Sequence, residues 1–498
     1  MKKIFNIKFL AFIGAVAFFG SCTDLVSKEE DSIPTNAAGG CVTSSNVKES
    51  LVSAYKDLGS YTDQANIYSL GEHTSGEMIP PTRGVDWGDN GVWRTLDQHT
   101  LDATHSWNLN AWNQLNQMAF KCGVIIGTSG ATPLQIAEAK FLRAFHMTLV
   151  MDYWGQVPIR QPCEGVDVNP TVMTRAVAFD FIMKDLTDAL PNLPKIGPGA
   201  SNGAASKASA NLLIAKLLLN KAVYKAATSA GPYTFDKADM TAAIAAVDAV
   251  KADGYDLEDN YWTNYTAAAS KEVAFVSLEG TPQNRWFMTL HYDQDPSGWN
   301  GFTTLVDYYN KMSAADQRLG VTPKKDKSAF AGIGKGFLRG QQYKGDGTIL
   351  VDSRTKKPLS FTDDIVLAGA ATDKGIRYIK YHPADANKYV LQRYGEGVLI
   401  KAEAQLRGGD AAGALLTINA LRVKRGAALV TTVDADALFD EIGREMMWDG
   451  QKRTHEVRFG KYITGPGVVN KDPGSVLFPI PVDAVTTNPN LKQNAGYK

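Results

Sequence analysis

The chain has few cysteines, no excess of either charge and no apolar run long enough to cross a membrane. Its 498 residues include four cysteines, and none of them stand in the CxxC spacing of a metal or redox site. The 52 basic residues balance the 52 acidic ones, which argues against a nucleic-acid-binding surface, because such a surface needs a basic excess. What remains is a composition, 44% apolar and 21% charged, that is ordinary for a folded globular protein.

The first 22 residues have the pattern of an export signal. Three lysines precede the apolar run Phe9–Gly20, whose 12 residues are too few for a membrane span of about 20. The small pair Gly20-Ser21 before Cys22 is typical of a lipoprotein cleavage site, so we predict a signal peptide over residues 1–21 and acyl chains on Cys22. An ordinary secretory cleavage is the alternative, because Phe19 stands where such sites more often carry leucine.

Cleavage at this site would change both the charge and the cysteine balance. Three lysines and no acid are lost, which leaves 49 basic and 52 acidic residues and a net charge of −3. After Cys22, only Cys41, Cys122 and Cys163 remain, so at least one thiol is unpaired. We expect free, partly buried cysteines, and therefore a fold stabilised by packing.

Residues 22–45 are expected to form a flexible tether behind the acylated cysteine. Large apolar side chains are scarce between residues 23 and 45, so burial could not offset the entropy lost on ordering. The charged run at residues 28–31 is read equally well as a solvated stretch or as similar to the acidic signal that sends some lipoproteins to the outer face of an outer membrane.

Apolar periodicity predicts a body built mainly of helices. The segment Leu134–Trp154 repeats apolar residues every four positions, with Pro133 just ahead of it. A second stripe repeats at intervals of four and three between Ala208 and Ala222. Val390–Arg407 and Ala411–Arg425 are also predicted helices.

The last two helices predict an antiparallel pair. Gly408 and Gly409 can end the first helix in the left-handed conformation, and the Asp410 carboxylate can cap the second. Small alanines at the contact make the pair similar to a tetratricopeptide unit, although no strict 34-residue period runs along the chain. We therefore predict an all-α fold, in which such pairs form a curved scaffold with long aromatic-bearing loops and a few short strands.

Two long loops interrupt the helical pattern, at Gly71–Asn110 and Thr281–Tyr309. Short strands are predicted at Val273–Leu278 and Thr348–Asp352. Long loops on a helical frame are usually functional or disordered, and the aromatic content of these two argues for function.

Both loops carry the side chains that bind sugars. Aromatic rings cover the C–H face of a sugar, while carboxylates, amides and guanidinium groups bond its hydroxyls. The first loop offers Asp86 and Trp87, with Trp93 as either a further ligand contact or an anchor of the loop against the body. The second loop repeats the combination around Trp299. The alternative for each tryptophan is that it packs in the core and contacts no ligand.

Several segments along the chain carry distinctive motifs. They are Ala137-Glu138-Ala139-Lys140-Phe141-Leu142-Arg143-Ala144-Phe145, Tyr153-Trp154-Gly155-Gln156-Val157-Pro158, Glu403-Ala404-Gln405-Leu406-Arg407, Arg444-Glu445 to Trp448, Arg458-Phe459-Gly460 and the tail from Leu477-Phe478-Pro479-Ile480-Pro481 to Gly496-Tyr497. In this order, these motifs resemble the SusD/RagB family of outer-membrane nutrient-binding lipoproteins, and the resemblance covers nearly the whole mature chain.

The resemblance implies a fold of four tetratricopeptide-like units, an outer-leaflet anchor and glycan capture on the exposed face. It implies an N-terminal helical region over residues 46–270 and a C-terminal region over residues 271–498, packed as one body. The implied partner is a SusC-like TonB-dependent transporter. Trp87 corresponds to a ligand-site tryptophan in branches with a similar segment, and Arg377 and Tyr394 lie in segments that resemble other binding positions.

Two other functions remain open. A surface glycosidase would need two loop carboxylates about 5–9.5 Å apart, and a pure interaction scaffold would have no sugar site. We expect no cofactor and no resident metal, since the catalytic and phosphate-binding motifs are missing. Asp346-Gly347 is expected to be an ordinary hairpin turn, with a calcium site there as the alternative.

Overall fold

The computed structural model describes residues 41–165, 167–385 and 387–497. The predicted signal peptide, Cys22 and most of the predicted tether lie outside these residues. The described residues cluster as one compact unit. The division at residues 270 and 271 stays a prediction.

Helices make up the frame, as the periodicity and the resemblance predicted. They are α1 (Val47–Lys56), α2 (Asn66–Glu72), α3 (Val92–Asp97), α4 (Ser106–Gly127), α5 (Pro133–Trp154), α6 (Arg175–Ala189), α7 (Lys207–Tyr224), α8 (Lys237–Ala252), α9 (Asn284–Phe287), α10 (Val306–Asn310), α11 (Tyr394–Arg407), α12 (Ala411–Lys424), α13 (Ala435–Met446), α14 (Lys452–Arg458) and α15 (Val482–Thr487). Consecutive helices pack as pairs, among them α4 with α5, α7 with α8 and α11 with α12. The predicted helical fold class is confirmed.

The strands are short and pair antiparallel. They are β1 (Gln156–Ile159), β2 (Thr171–Thr174), β3 (Val273–Ser277), β4 (Gly320–Val321), β5 (Lys335–Leu338), β6 (Gly340–Gln341), β7 (Ser360–Phe361), β8 (Arg377–Ile379) and β9 (Tyr389–Arg393). β1 pairs with β2, β3 with β9 and β6 with β7, while β5 lies between β4 and β8. The predicted strand at residues 273–278 is confirmed by β3.

Local capping chemistry sets the helix ends. Thr132 and Gln135 form a reciprocal capping box ahead of α5, with Pro133 as the first helical residue. Asp410 accepts a hydrogen bond of 2.8 Å from the amide of Gly413 and so caps α12, as predicted. None of the helices in the described part of the chain combines the length and the apolar character that a membrane span requires.

Two predictions about local structure were wrong. Residues 390–393 were predicted to begin a helix, but they belong to β9, which pairs with β3. This segment is buried against its partner strand, and strand pairing therefore overrides the helical periodicity. Residues 348–352 form only isolated bridges, Tyr343 to Ile349 and Val351 to Pro358.

The cysteine prediction was also wrong in part. Cys41 and Cys163, 122 residues apart, form a disulfide, while Cys122 is free and buried as expected. Residues 41–45 are therefore attached to the body: the Val42 amide also donates to the carbonyl of Pro162 over 2.7 Å. Sequence could not identify this pair, because three cysteines allow three pairings and the fold alone brings these two together.

A buried ion network joins the late helices to β9. The Glu445 carboxylate in α13 contacts three guanidinium groups, at 3.0 Å (Arg318), 2.6 Å (Arg393) and 2.8 Å (Arg425). Glu272 contacts Arg425 at 2.6 Å and Arg393 at 3.3 Å. All five side chains are essentially excluded from solvent, so each charge depends on its partners.

Candidate functional site

The two aromatic-bearing loops meet in the folded chain. Ile79 of the first loop forms a bridge with Thr303 of the second. Farther out, the indole N–H of Trp87 donates to the carbonyl of Trp299 over 2.7 Å. The structure thus brings together the two segments whose composition suggested a common role.

A third segment, residues 371–377, completes the site, and Asn300 is its central contact. The Asn300 side chain donates to the carbonyl of Thr372 over 2.9 Å and accepts from Arg377 over 2.6 Å. The main-chain carbonyl of Asn300 accepts a hydrogen bond of 2.7 Å from Arg83 Nε. Arg83 and Arg377 also donate to carbonyls of residues 371–375. Three loops are therefore bonded around one amide.

The backbone at this junction adopts conformations that side chains disfavour. Trp87 has a φ of 62° and Asn300 a φ of 56°. Such strain persists where the surrounding structure over-determines it, and it concentrates at functional sites. Gly301 is required at its position, because a Cβ there would lie 1.9 Å from the indole of Trp87.

Trp87, which the sequence offered as a glycan contact with packing as the alternative, points inward. Its side chain is only 9% exposed. The ring lies 5.1 Å from that of Trp93 and 5.5 Å from that of Phe302, measured between centroids. Burial of a large aromatic surface, together with a partner for the indole N–H, favours this orientation. A ligand contact by Trp87 stays a prediction.

Trp93 anchors the first loop, as one of its two alternatives predicted. It is 4% exposed, and its indole N–H donates to the Asp89 carboxylate over 2.6 Å. The Asp89 carboxylate thus serves to hold a ring in place.

Arg377 and Tyr394 are also buried, for different reasons. Arg377 has no exposed surface. Its guanidinium donates hydrogen bonds to loop carbonyls and to the Asn300 side chain, and it lies 4.2 Å from the ring centroid of Phe361. This burial holds the pKa of Arg377 well below its ordinary value. Tyr394 begins α11 in the helical frame, where its amide donates to the carbonyl of Glu272 over 2.8 Å. The structure therefore joins Arg377 to the loops as a support and places Tyr394 in the frame.

Trp299 is the outward-facing indole. Its side chain is 52% exposed, and its ring lies 5.2 Å from that of Phe287, at an interplanar angle of 51°. Contact on one side leaves the other side of the indole to solvent. Val85, at the tip of the first loop, is 98% exposed and adds apolar surface.

Three polar side chains, one of them from each of the two loops, form a group of their own. Tyr292 donates its hydroxyl to the Asp86 carboxylate over 2.5 Å, and Arg354 contacts the same oxygen at 3.3 Å. The guanidinium of Arg354 also lies 3.9 Å from the ring centroid of Tyr292. Burial and the bond to Asp86 raise the pKa of Tyr292 to about 12, so the phenol stays a hydrogen-bond donor at neutral pH.

Sequence reasoning missed Arg354 as a site residue. It lies in a turn, residues 352–356, whose Ser, Arg, Thr and Lys residues are ordinary for an exposed loop. No local signal distinguishes it, because its partner Asp86 is 268 residues away along the chain. Tyr292, by contrast, lies in the second of the two loops that stand out in the sequence by their aromatic content.

No model of a known protein family matches the sequence. The chain is similar to the starch-binding protein SusD of Bacteroides thetaiotaomicron, with 26% identity over 84% of this chain and 88% of that protein. Many solved structures share the fold. Surface glycan-binding protein A from Bacteroides fluxus has a TM-score of 0.68 at 19% identity and covers 91% of this chain and 99% of that one.

A laminarin-binding SusD-like protein has a TM-score of 0.62 at 20% identity, over 91% of this chain and 100% of that one. The structural matches have such low sequence identities that they establish the fold alone. The match to SusD, by contrast, is a sequence match that covers most of both chains. The chain is thus similar in sequence to SusD across most of both chains, and it has the fold of the SusD-like proteins.

Proposed function

We propose that the chain is a non-catalytic glycan-binding protein of the cell surface. Its binding face is formed by Trp299, Asp86, Tyr292 and Arg354, with Trp87 holding the two loops together beneath it. The observation that carries the proposal is the outward indole of Trp299, 52% exposed on a loop whose Tyr292 is bonded to Asp86 of the first loop. The names of the relatives, which bind starch, surface glycans and laminarin, support it.

The chemistry of this face suits an oligosaccharide. An indole supplies contact area with little rotamer entropy to lose, and it can cover the C–H face of a sugar ring. Asp86 retains an acceptor oxygen, and the half-exposed guanidinium of Arg354 can donate to hydroxyls. Affinity should be modest, because an open face leaves polar groups incompletely desolvated.

Replacing Trp299 with alanine is the direct test. We expect affinity for the bound polysaccharide to fall about tenfold, equivalent to about 1.4 kcal/mol, because the aromatic contact is lost. The free energy of unfolding should change by less than about 0.5 kcal/mol, since the ring is half exposed. Retardation in native gels across a polysaccharide panel that includes starch and laminarin measures the first quantity, and urea unfolding the second.

Leu416→Ala is the matched control, because Leu416 on α12 is 74% exposed and lies far along the chain from the loops. It removes an exposed apolar side chain without touching the proposed face. Equal retardation of the wild type and Trp299→Ala, with both folded, would move the binding face elsewhere.

The loop carboxylates support a binding role over a glycosidase. Asp86 accepts a bond from Tyr292, and Asp89 one from Trp93. Asp293 accepts a bond of 2.8 Å from the amide of Ser353. These acids are used to fix loops, whereas a glycosidase needs an acid and a base free to exchange protons. Release of reducing ends from a bound polysaccharide, abolished by Asp86→Asn, is the result that would establish catalysis.

Location and partner complete the proposal. We propose a lipid anchor on Cys22 in the outer membrane, facing the cell exterior, and delivery of glycan to a SusC-like TonB-dependent transporter. The support is the cleavage motif and the family resemblance. Labelling with palmitate should be lost in Cys22→Ala, and the anchored wild type should co-purify with a transporter. A pure interaction scaffold would co-purify in the same way but bind nothing across the glycan panel.

A further inference from the structure

A second cluster joins the second aromatic-bearing loop to the turn at residues 352–356. His291 Nδ1 is 3.5 Å from Asp293 Oδ2, and His291 Nε2 is 3.7 Å from Asp352 Oδ2. Ligand atoms of the three side chains all lie within 4.8 Å of one another. His291 is fully buried and Asp352 nearly so, while the side chain of Asp293 is 21% exposed and opens the cluster to solvent.

One ring nitrogen of His291 has no partner. Nδ1 accepts a hydrogen bond of 3.2 Å from the Asp293 amide, which leaves the ring proton on Nε2. Nε2 is buried and makes no hydrogen bond within the described residues, although it faces Asp352. Buried polar atoms are nearly always paired, so an orphaned Nε2 directed at a carboxylate calls for an explanation.

We propose that this cluster is a site for a divalent transition-metal ion of the zinc class. His291 Nε2 and Asp352 Oδ2 hold the ion between them, and solvent completes its coordination. Binding moves the ring proton from Nε2 to Nδ1, which then gives up its hydrogen bond from the Asp293 amide and donates to Asp293 Oδ2 instead. This is the carboxylate–histidine–metal arrangement, in which the outer carboxylate orients the ring.

The donor set favours this class of ion over calcium. An imidazole nitrogen suits zinc, nickel or copper, whereas calcium and magnesium take oxygen ligands. The two aspartates carry two negative charges, which a divalent ion balances. Asp352 is already oriented for this role, since Thr372 donates to its Oδ2 over 2.5 Å and the Arg354 amide to its Oδ1 over 2.8 Å.

The ion would connect the two loops that support the proposed glycan face. His291 precedes Tyr292, and Asp352 begins the turn that carries Arg354; both Tyr292 and Arg354 hold Asp86. The metal site stands independently of the glycan proposal, because its test needs no sugar.

The test uses the full mature chain, stripped with EDTA and then titrated with zinc chloride. We expect one zinc per chain, by calorimetry and by elemental analysis after dialysis, together with a rise in unfolding temperature. His291→Gln and Asp352→Asn should lose this zinc. Asp293→Asn should weaken it by about 10–100-fold, as for loss of an outer partner, while its amide oxygen can still accept from Ser353.

Asp295→Asn is the matched control, because it removes the same charge two residues away on an exposed side chain. It should bind zinc like the wild type. If His291→Gln or Asp352→Asn fails to fold, the zinc affinity of Asp293→Asn tests the proposal. This variant serves if its unfolding temperature in EDTA equals that of the wild type. The proposal is overturned if the wild type retains no stoichiometric zinc, if Asp293→Asn binds zinc as tightly as Asp295→Asn, or if calcium binds as tightly as zinc.

Discussion

Replacing Glu445 with glutamine should lower the free energy of unfolding by about 3–5 kcal/mol, the usual cost of breaking a buried ion pair. The carboxylate accepts from three buried guanidinium groups, those of Arg318, Arg393 and Arg425. A glutamine keeps one acceptor oxygen, but its NH₂ group would face arginine donors. The loss follows from leaving buried positive charge without its partner, and urea unfolding at neutral pH measures it.

The same variant should reveal how the network responds to acid. Burial alone would raise the pKa of Glu445, but Arg425 and Arg393 outweigh it and hold the pKa well below its ordinary value. A depressed carboxylate pKa contributes stability above the unfolded value of about 4.3, and this stability is lost as pH falls through the folded pKa. The stability difference between wild type and Glu445→Gln should therefore be full at neutral pH and shrink below about pH 4.

Asp188→Asn is the control for a surface ion pair. Asp188 contacts Lys184 at 2.9 Å on the exposed face of α6. Exposed pairs contribute about 0.2–1 kcal/mol, so this variant should differ little from the wild type. Equal stability of Glu445→Gln and the wild type would show that the arginines find other partners and that the network does not depend on this carboxylate.

Replacing Trp87 with alanine should cost about 3–5 kcal/mol of unfolding free energy and also abolish glycan retention. The ring is 9% exposed and packs between Trp93 and Phe302, so its removal leaves a cavity. Loss of the indole N–H also frees the carbonyl of Trp299, and the exposed indole would then no longer be held against the first loop. Urea unfolding and native-gel retardation measure the two effects.

Two other variants separate packing from ligand contact. Gly301→Ala disturbs the same ring, because the added Cβ would overlap the Trp87 indole. This variant should therefore also destabilise the fold. Trp299→Ala should weaken binding alone. A Trp87→Ala protein with wild-type stability but reduced retention would instead mean that glycan reaches the Trp87 ring directly.

Local patterns were sufficient for the helical frame. The apolar stripe of α5 and its capping residues lie within one short stretch, so the residues of that stretch are enough to predict the helix. The same holds for the Asp410 cap of α12. The aromatic and acidic character of the two loops was also visible, because composition alone indicates which surfaces can bind a sugar.

Other features depend on residues far apart in sequence. Residues 390–393 become a strand because β3 lies beside them, and Cys41 is oxidised because the fold places Cys163 next to it. Arg354 joins Asp86 across 268 positions.

By itself, the sequence determined the helical class of this protein, its resemblance to the SusD/RagB family and the segments that carry the candidate site. Only the tertiary structure decided that Trp87 turns inward while Trp299 turns outward, since both stand in similar loops with similar neighbours. The physical reason is that burial depends on what packs against a side chain. Trp93 and Phe302 pack against the Trp87 ring, and Gly301, which has no Cβ, leaves the space that this ring occupies.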